Sequence, residues 1–262
     1  MLQNKTLIKN NFIKFKHFVL FITIFILVSC QNKIYNTQTS YNRISVNALE
    51  YNTKIDSFIT PYRNQINRDL DSILAFVPVT LDKSKGQWQT NIGNWMADIC
   101  LDKGNEIMAQ KKMHKIDFCI LNSGGIRSII SAGPVTARNA FEVMPFENKL
   151  TVAELNSETM QELIETFVTQ KKPHPISGAE ITFNAQNQLE HFKIGGEKIN
   201  PNKTYFVITS DYLSKGGDNM LFFTKAIRLI PLDIKIREVI IEDFKKKDTL
   251  KSQLDNRIIL LK

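Results

Sequence analysis

The sequence predicts an α/β (α+β) domain, a mixed β-sheet flanked by helices. Three observations carry that reading. Apolar residues recur at helical spacing in some stretches, as at Ile55, Ile59, Ile66, Leu70 and Ile73. Other apolar runs are short enough to be buried strands, above all residues 116–121. Glycine pairs at 124–125, 195–196 and 216–217 punctuate the runs as turns, and no repeat of fixed period is present.

The first 29 residues read as a targeting segment rather than as fold. Lys5, Lys9, Lys14 and Lys16 form a positive region without an acidic residue, and residues 18–28 are an apolar stretch too short to span a membrane comfortably. The stretch ends in Leu27-Val28-Ser29-Cys30, which resembles a bacterial lipobox and makes Cys30 the expected lipidation site. A cell-envelope location follows as an expectation, with a lipid anchor on the periplasmic or surface face of a bacterial membrane. Residues 30–42, rich in Asn, Thr and Gln, read as a tether, and residues 43–262 as the folded domain. The 262 residues carry a net charge of +8, and removing the four leader lysines leaves +4 for residues 30–262. That scattered surplus argues against a nucleic-acid partner. Besides Cys30, only Cys100 and Cys119 are present; both stand in apolar surroundings and are expected to pack unpaired.

Taken in order, the periodicity predicts a helix over residues 47–74, which Pro61 starts or kinks. A strand over 76–81 follows, with Pro78 favouring a sheet edge. Thr90 suits the N-cap of a helix carrying Ile92, Trp95, Met96, Ile99 and Cys100. After the buried strand, Gly133-Pro134-Val135-Thr136 reads as a turn into residues 140–144. Residues 150–155 form a strand, and Ser157 caps a helix with Met160, Leu163, Ile164 and Phe167. Strands are expected over 179–183, 189–194 and 205–209, then a helix over 232–244 and a last strand over 257–261.

The strand over 116–121 runs into Asn122-Ser123-Gly124-Gly125-Ile126-Arg127. Paired glycines let a ligand approach the main chain, and a guanidinium fork beside them suits phosphate or carboxylate. With Asn-Ile-Gly-Asn-Trp (91–95), Pro-Phe-Glu-Asn (145–148), Ile-Ser-Gly (176–178) and Tyr-Leu-Ser-Lys-Gly-Gly-Asp (212–218), this motif makes an ordered set. The set resembles the C-terminal domain of the 5'-nucleotidase / UDP-sugar hydrolase family over residues 43–262. The resemblance implies that fold and a nucleotide site. Arg127 would hold phosphate with Asn122, Gly124 and Gly125 beside it. Phe146 and Tyr212 would sandwich the base, where the family usually has Phe in place of Tyr212. Asn148 and Asp218 would bond the nucleoside, Asp218 through the ribose hydroxyls, with Gly217 preceding it; Gly178 would line the base pocket.

Two departures stand out. Residues 83–90 hold no second phosphate-binding Arg, so Lys85 is the candidate point charge. Glu147 replaces a small glycine and would repel an anion unless it points away.

In the family, hydrolysis belongs to a metallophosphatase domain with two metal ions. The sequence ahead of residue 43 is too short for one, and His17, His114, His174 and His191 lack metal-ligand spacing. No cofactor is expected in this chain, and divalent metals are expected in a partner metallophosphatase subunit. The ligand would be a nucleoside monophosphate or nucleoside, in nucleotide catabolism. The alternative is a lipid-anchored nucleotide-binding protein without catalytic engagement. His174, between Pro173 and Pro175, reads as an exposed loop residue.

Overall fold

The computed structural model describes residues 15–23, 40–42 and 52–261. The chain divides into two units, residues 1–52 and 53–262. In the first, residues 15–23 are helical and exposed. Cys30 and most of the expected tether lie outside the described residues, as do residues 43–51 of the expected domain and first helix. Among the described residues no helix is long and apolar enough to cross a membrane.

The second unit opens with helix α1 (Thr53–Asp71), which carries Pro61 within it. Strand β1 (Ile73–Val77) follows at once. It therefore lies earlier than the expected 76–81, and Pro78, which has no N–H to give a ladder, stands just past its end. Its partner is β3 (Gly133–Thr136), antiparallel, with Val77 opposite Gly133 and Ala75 opposite Val135. The segment expected to be a turn is thus a strand, because Pro134 and Val135 both favour extended backbone and Val135 buries its side chain. Thr136 then enters the short helix α3 (Ala137–Val143).

Helix α2 (Asn91–Gln110) is capped as expected, Thr90 Oγ1 accepting the Gly93 N–H at 3.1 Å. Its Trp95 indole N–H donates to Asp243 Oδ2 at 2.9 Å, and the ring stacks on Phe244. These contacts bind α2 to α6 (Ile236–Lys246), the helix that follows the one-turn α5 (Asp211–Ser214). Asn156, rather than Ser157, caps α4 (Ser157–Gln170): its Oδ1 accepts from Thr159, while Ser157 Oγ donates to the Pro201 carbonyl.

The central sheet has five strands in the order β10-β4-β9-β2-β5. They are β10 (Arg228–Lys235), β4 (Lys149–Leu155), β9 (Tyr205–Ser210), β2 (Phe118–Ile120) and β5 (Ile176–Ser177). Only β2 and β9 pair in parallel. Side chains alternate between its faces. Phe206 and Ile208 of β9, Leu150 and Val152 of β4 and Cys119 of β2 pack with α2 and α6. Tyr205, Val207, Ala153, Leu155, Phe118 and Ile120 pack on the other side with Met160, Leu163 and Phe167 of α4. Burial on both faces is why these strands read as nearly unbroken apolar runs. A second sheet, β11-β6-β7-β8, backs the α4 side. It comprises β6 (Ala179–Phe183), β7 (Leu189–Ile194), β8 (Glu197–Lys198) and β11 (Ile258–Leu260). Trp88 stacks on its Phe183 at 4.2 Å between centroids.

The helix expected over 232–244 begins four residues later, at Ile236. Ile230 and Leu232 are buried by strand alternation in β10, and Asp233 has a left-handed φ of 54° that no helix interior accepts. Cys100 and Cys119 are free and buried. Burial pushes the Cys100 thiol up to about 12, which leaves it unreactive.

Candidate functional site

Topology decides where the motifs meet. Because β2 and β9 are parallel, the segments that leave them, residues 122–127 and 211–219, emerge at one end of the sheet. Strand β4 runs antiparallel to β9, so the segment that enters it, residues 145–148, arrives at that same end. Ligands of sheets flanked by helices collect beyond such carboxyl ends. A cavity of about 340 Å³ opens there, lined by Asn122, Gly124, Gly125, Arg127, Phe146, Asn148, Tyr212 and Asp218. Eight of the ten residues singled out for binding therefore line one cavity.

The two aromatic residues are partly exposed, Phe146 at 40 % and Tyr212 at 45 %. The Arg127 guanidinium carbon lies 5.9 Å from the Phe146 ring centroid. Its Nη1 donates to the Gly124 carbonyl at 3.4 Å, a long bond that uses one of five N–H donors. The Arg127 backbone N–H donates to Val143 O, which ties the glycine loop to α3. At the other side of the cavity Asp218 accepts from Asn122 Nδ2 at 2.7 Å and from the Tyr212 hydroxyl at 3.1 Å. Each carboxylate oxygen has a second lone pair, so the group remains able to accept from a diol.

The other two glycines stand outside this lining. Gly217 lets the Tyr212 ring lie against the main chain: a Cβ there would fall 2.5 Å from two ring carbons. Gly178 lines other clefts of the surface. At φ +87° it passes so close to β2 that a Cβ would sit 2.5 Å from the Asp117 carbonyl oxygen, which gives it a packing reason to be glycine.

Charge around the cavity is arranged by residues the sequence did not mark. Arg237, buried on α6, donates to the Met144 and Phe146 carbonyls at 3.3 Å, pairs with Glu147, and stacks 4.1 Å from the Phe141 ring centroid. Lys235 pairs with the other Glu147 oxygen at 2.6 Å. Lys235 first and Arg237 second hold the Glu147 carboxyl down at about 2. The repulsive carboxylate expected beside the site is thus neutralised by two cations. Lys83, not Lys85, reaches the glycine loop, its ammonium donating to the Ile126 carbonyl.

His174 corrects a sequence expectation outright. It is 2 % exposed, not an exposed loop residue. Pro175 packs against Gly93 at the start of α2, and its carbonyl accepts the Leu121 N–H at 2.9 Å, so the Pro-His-Pro loop is pressed into the sheet end. The imidazole contacts Ser123 and Gln170. The apolar Pro175-Ile176 step leading to Gly178 was the available sequence signal for burial. Among the described residues, no three His, Cys, Asp or Glu side chains gather where they could hold a metal ion.

Comparison with known proteins identifies the family and the fold. The family model described as "5'-nucleotidase, C-terminal domain" matches residues 75–225. The trifunctional nucleotide phosphoesterase protein YfkN of Bacillus subtilis is 29 % identical over 230 residues, covering 80 % of this chain and 15 % of that protein. Protein UshA of Escherichia coli is 30 % identical over 176 residues, covering 64 % of this chain and 30 % of UshA. The chain thus spans less than a third of the length of either relative. In fold it is similar to the 5'-nucleotidase precursor from Thermus thermophilus, with a TM-score of 0.66 at 21 % identity, over 79 % of this chain and 43 % of that one. The chain belongs to the family of 5'-nucleotidase C-terminal domains.

Proposed function

We propose that this domain binds a nucleoside monophosphate and presents its phosphate to a metallophosphatase supplied by a separate subunit, in nucleotide catabolism. The observation that carries the reading is the convergence of Arg127, the Phe146 and Tyr212 rings and Asp218 on one cavity. Arg127 holds the phosphate, the rings stack on the base, and Asp218 and Asn148 bond the nucleoside. Stacking on an aromatic side chain contributes about 1–3 kcal/mol per base and tolerates any base. A charge-assisted contact to phosphate contributes about 1.5–3 kcal/mol. Lipidation at Cys30 would hold the domain at the cell envelope.

Calorimetry with AMP tests the binding reading. Arg127→Ala should weaken AMP at least tenfold and adenosine little, whereas Phe146→Ala should weaken both. Absence of binding by AMP, GMP, CMP and UMP would sink it. The catalytic reading needs a metallophosphatase from the same envelope: adding it should raise AMP hydrolysis far above either protein alone. Binding without any such gain would leave a nucleotide-binding protein with no catalytic role.

A further inference from the structure

His174 and Gln170 lie between the two glycine loops and touch both. His174 Nδ1 accepts the backbone N–H of Ser123 at 3.2 Å. A ring nitrogen that accepts carries no proton, so the imidazole proton is on Nε2. Nε2–H then donates to Gln170 Oε1 at 2.6 Å. That contact fixes the orientation of the Gln170 amide, whose Nε2 donates to the backbone carbonyl of Asp218 at 3.2 Å. Backbone groups at both ends cannot exchange roles, so the direction of all three bonds is determined. Burial keeps the imidazole neutral, lowering it to about 4. Asp218 has φ 51° and ψ 33°, a left-handed conformation that L side chains adopt at a cost, and the Gln170 bond holds its carbonyl there.

We propose that His174 and Gln170 form a strut that sets the spacing between the Asn122–Arg127 and Tyr212–Asp218 segments, making His174 a positioning residue for nucleotide binding. The proposal rests on the reading of the cavity as a nucleotide site. Neither strut residue lines the cavity. It acts by holding the phosphate loop and the ribose carboxylate apart at one distance, so that ordering them is not charged to binding.

The test uses the full chain, with AMP as probe. Gln170 lies half-buried in the last turn of α4, so Gln170→Ala keeps the fold, at a lower melting temperature because the buried His174 Nε2–H loses its acceptor. It should weaken AMP roughly three- to tenfold, as should His174→Ala. The double variant should lose no more than the weaker single one, because both cut the same strut. Without ligand, the Ser123 amide should exchange faster in Gln170→Ala, although Gln170 does not touch it, and nitrogen NMR should show the Nε2-protonated imidazole. Unchanged AMP affinity in Gln170→Ala, additive losses in the double variant, or an Nδ1-protonated ring would overturn the strut. If the parent binds no nucleotide, the site reading and the positioning role fall together. Amide exchange then still decides whether the strut exists.

Discussion

Asn122 and Asp218, 96 positions apart, meet through a 2.7 Å hydrogen bond from Nδ2 to Oδ2 that closes the cavity across the end of the sheet. The Tyr212 hydroxyl takes the other carboxylate oxygen, so Asp218 is aimed by two neutral donors before any ligand arrives. If the carboxylate accepts from a ribose diol, the parent should prefer AMP over 2'-deoxy-AMP. Asp218→Ala should lose AMP affinity by about 1.5–3 kcal/mol and abolish that preference. Parallel calorimetric titrations with the two nucleotides measure it; a preference that survives in Asp218→Ala places the diol elsewhere.

The Arg237–Glu147 pair makes an electrostatic prediction. Lys235 and Arg237 hold Glu147 at about 2, against an ordinary value of 4.5. In Arg237→Met the midpoint should rise, yet stay below 4.5 because Lys235 remains. The same variant should bind AMP more weakly at neutral pH, since Glu147 is then less neutralised and the Phe146 carbonyl loses its donor. Glu147→Gln in that background should recover part of the loss. Carbon NMR titration of the carboxyl and calorimetry read the two effects separately.

His174 should make folding stability depend on pH in a defined window. Its folded value of about 4 lies below the ordinary 6.5, so between those values the unfolded chain binds the extra proton. Stability is therefore fully present above pH 6.5 and declines as pH falls toward 4, by up to about 3 kcal/mol. The groups that face the ring are the Ser123 amide, Gln170, the Phe167 ring, Lys172, which lowers it, and Asp218, which raises it. Urea denaturation at stepped pH should show this slope in the parent and lose it in His174→Gln.

Gly178 separates packing from binding. Gly178→Ala would drive a Cβ against the Asp117 carbonyl at a backbone angle of +87°. The expected cost is about 2 kcal/mol or more of stability, with AMP affinity unchanged in the protein that remains folded. A selective loss of affinity at unchanged stability would return Gly178 to the base pocket.

Strands β2, β4 and β9 of the central sheet were legible in the sequence because both their faces are buried, which leaves nearly unbroken apolar runs, whereas β5 and β10 were not read as strands. Boundaries failed where one pattern fits two periods. Leu232, Ile234 and Ile236 suit a helix or a strand, and only pairing of β10 with β4 and the left-handed Asp233 resolved them. Pro134 misread as a turn residue for the same reason, since its strand partner lies 58 positions earlier at Phe76.

Sequence by itself picked out the residues that line the cavity: the glycine loop with Arg127, two aromatic residues and one carboxylate, each beside a turn. It determined the domain's family as well, through five motifs in order. Tertiary structure decided what holds those residues in place and what surrounds them. Arg237 on α6 neutralises Glu147, and His174, between two prolines that suggested exposure, is buried because Pro175 docks on Gly93. These partners lie dozens of residues away, so their burial and charge pairing follow from strand order and leave no local mark in the chain.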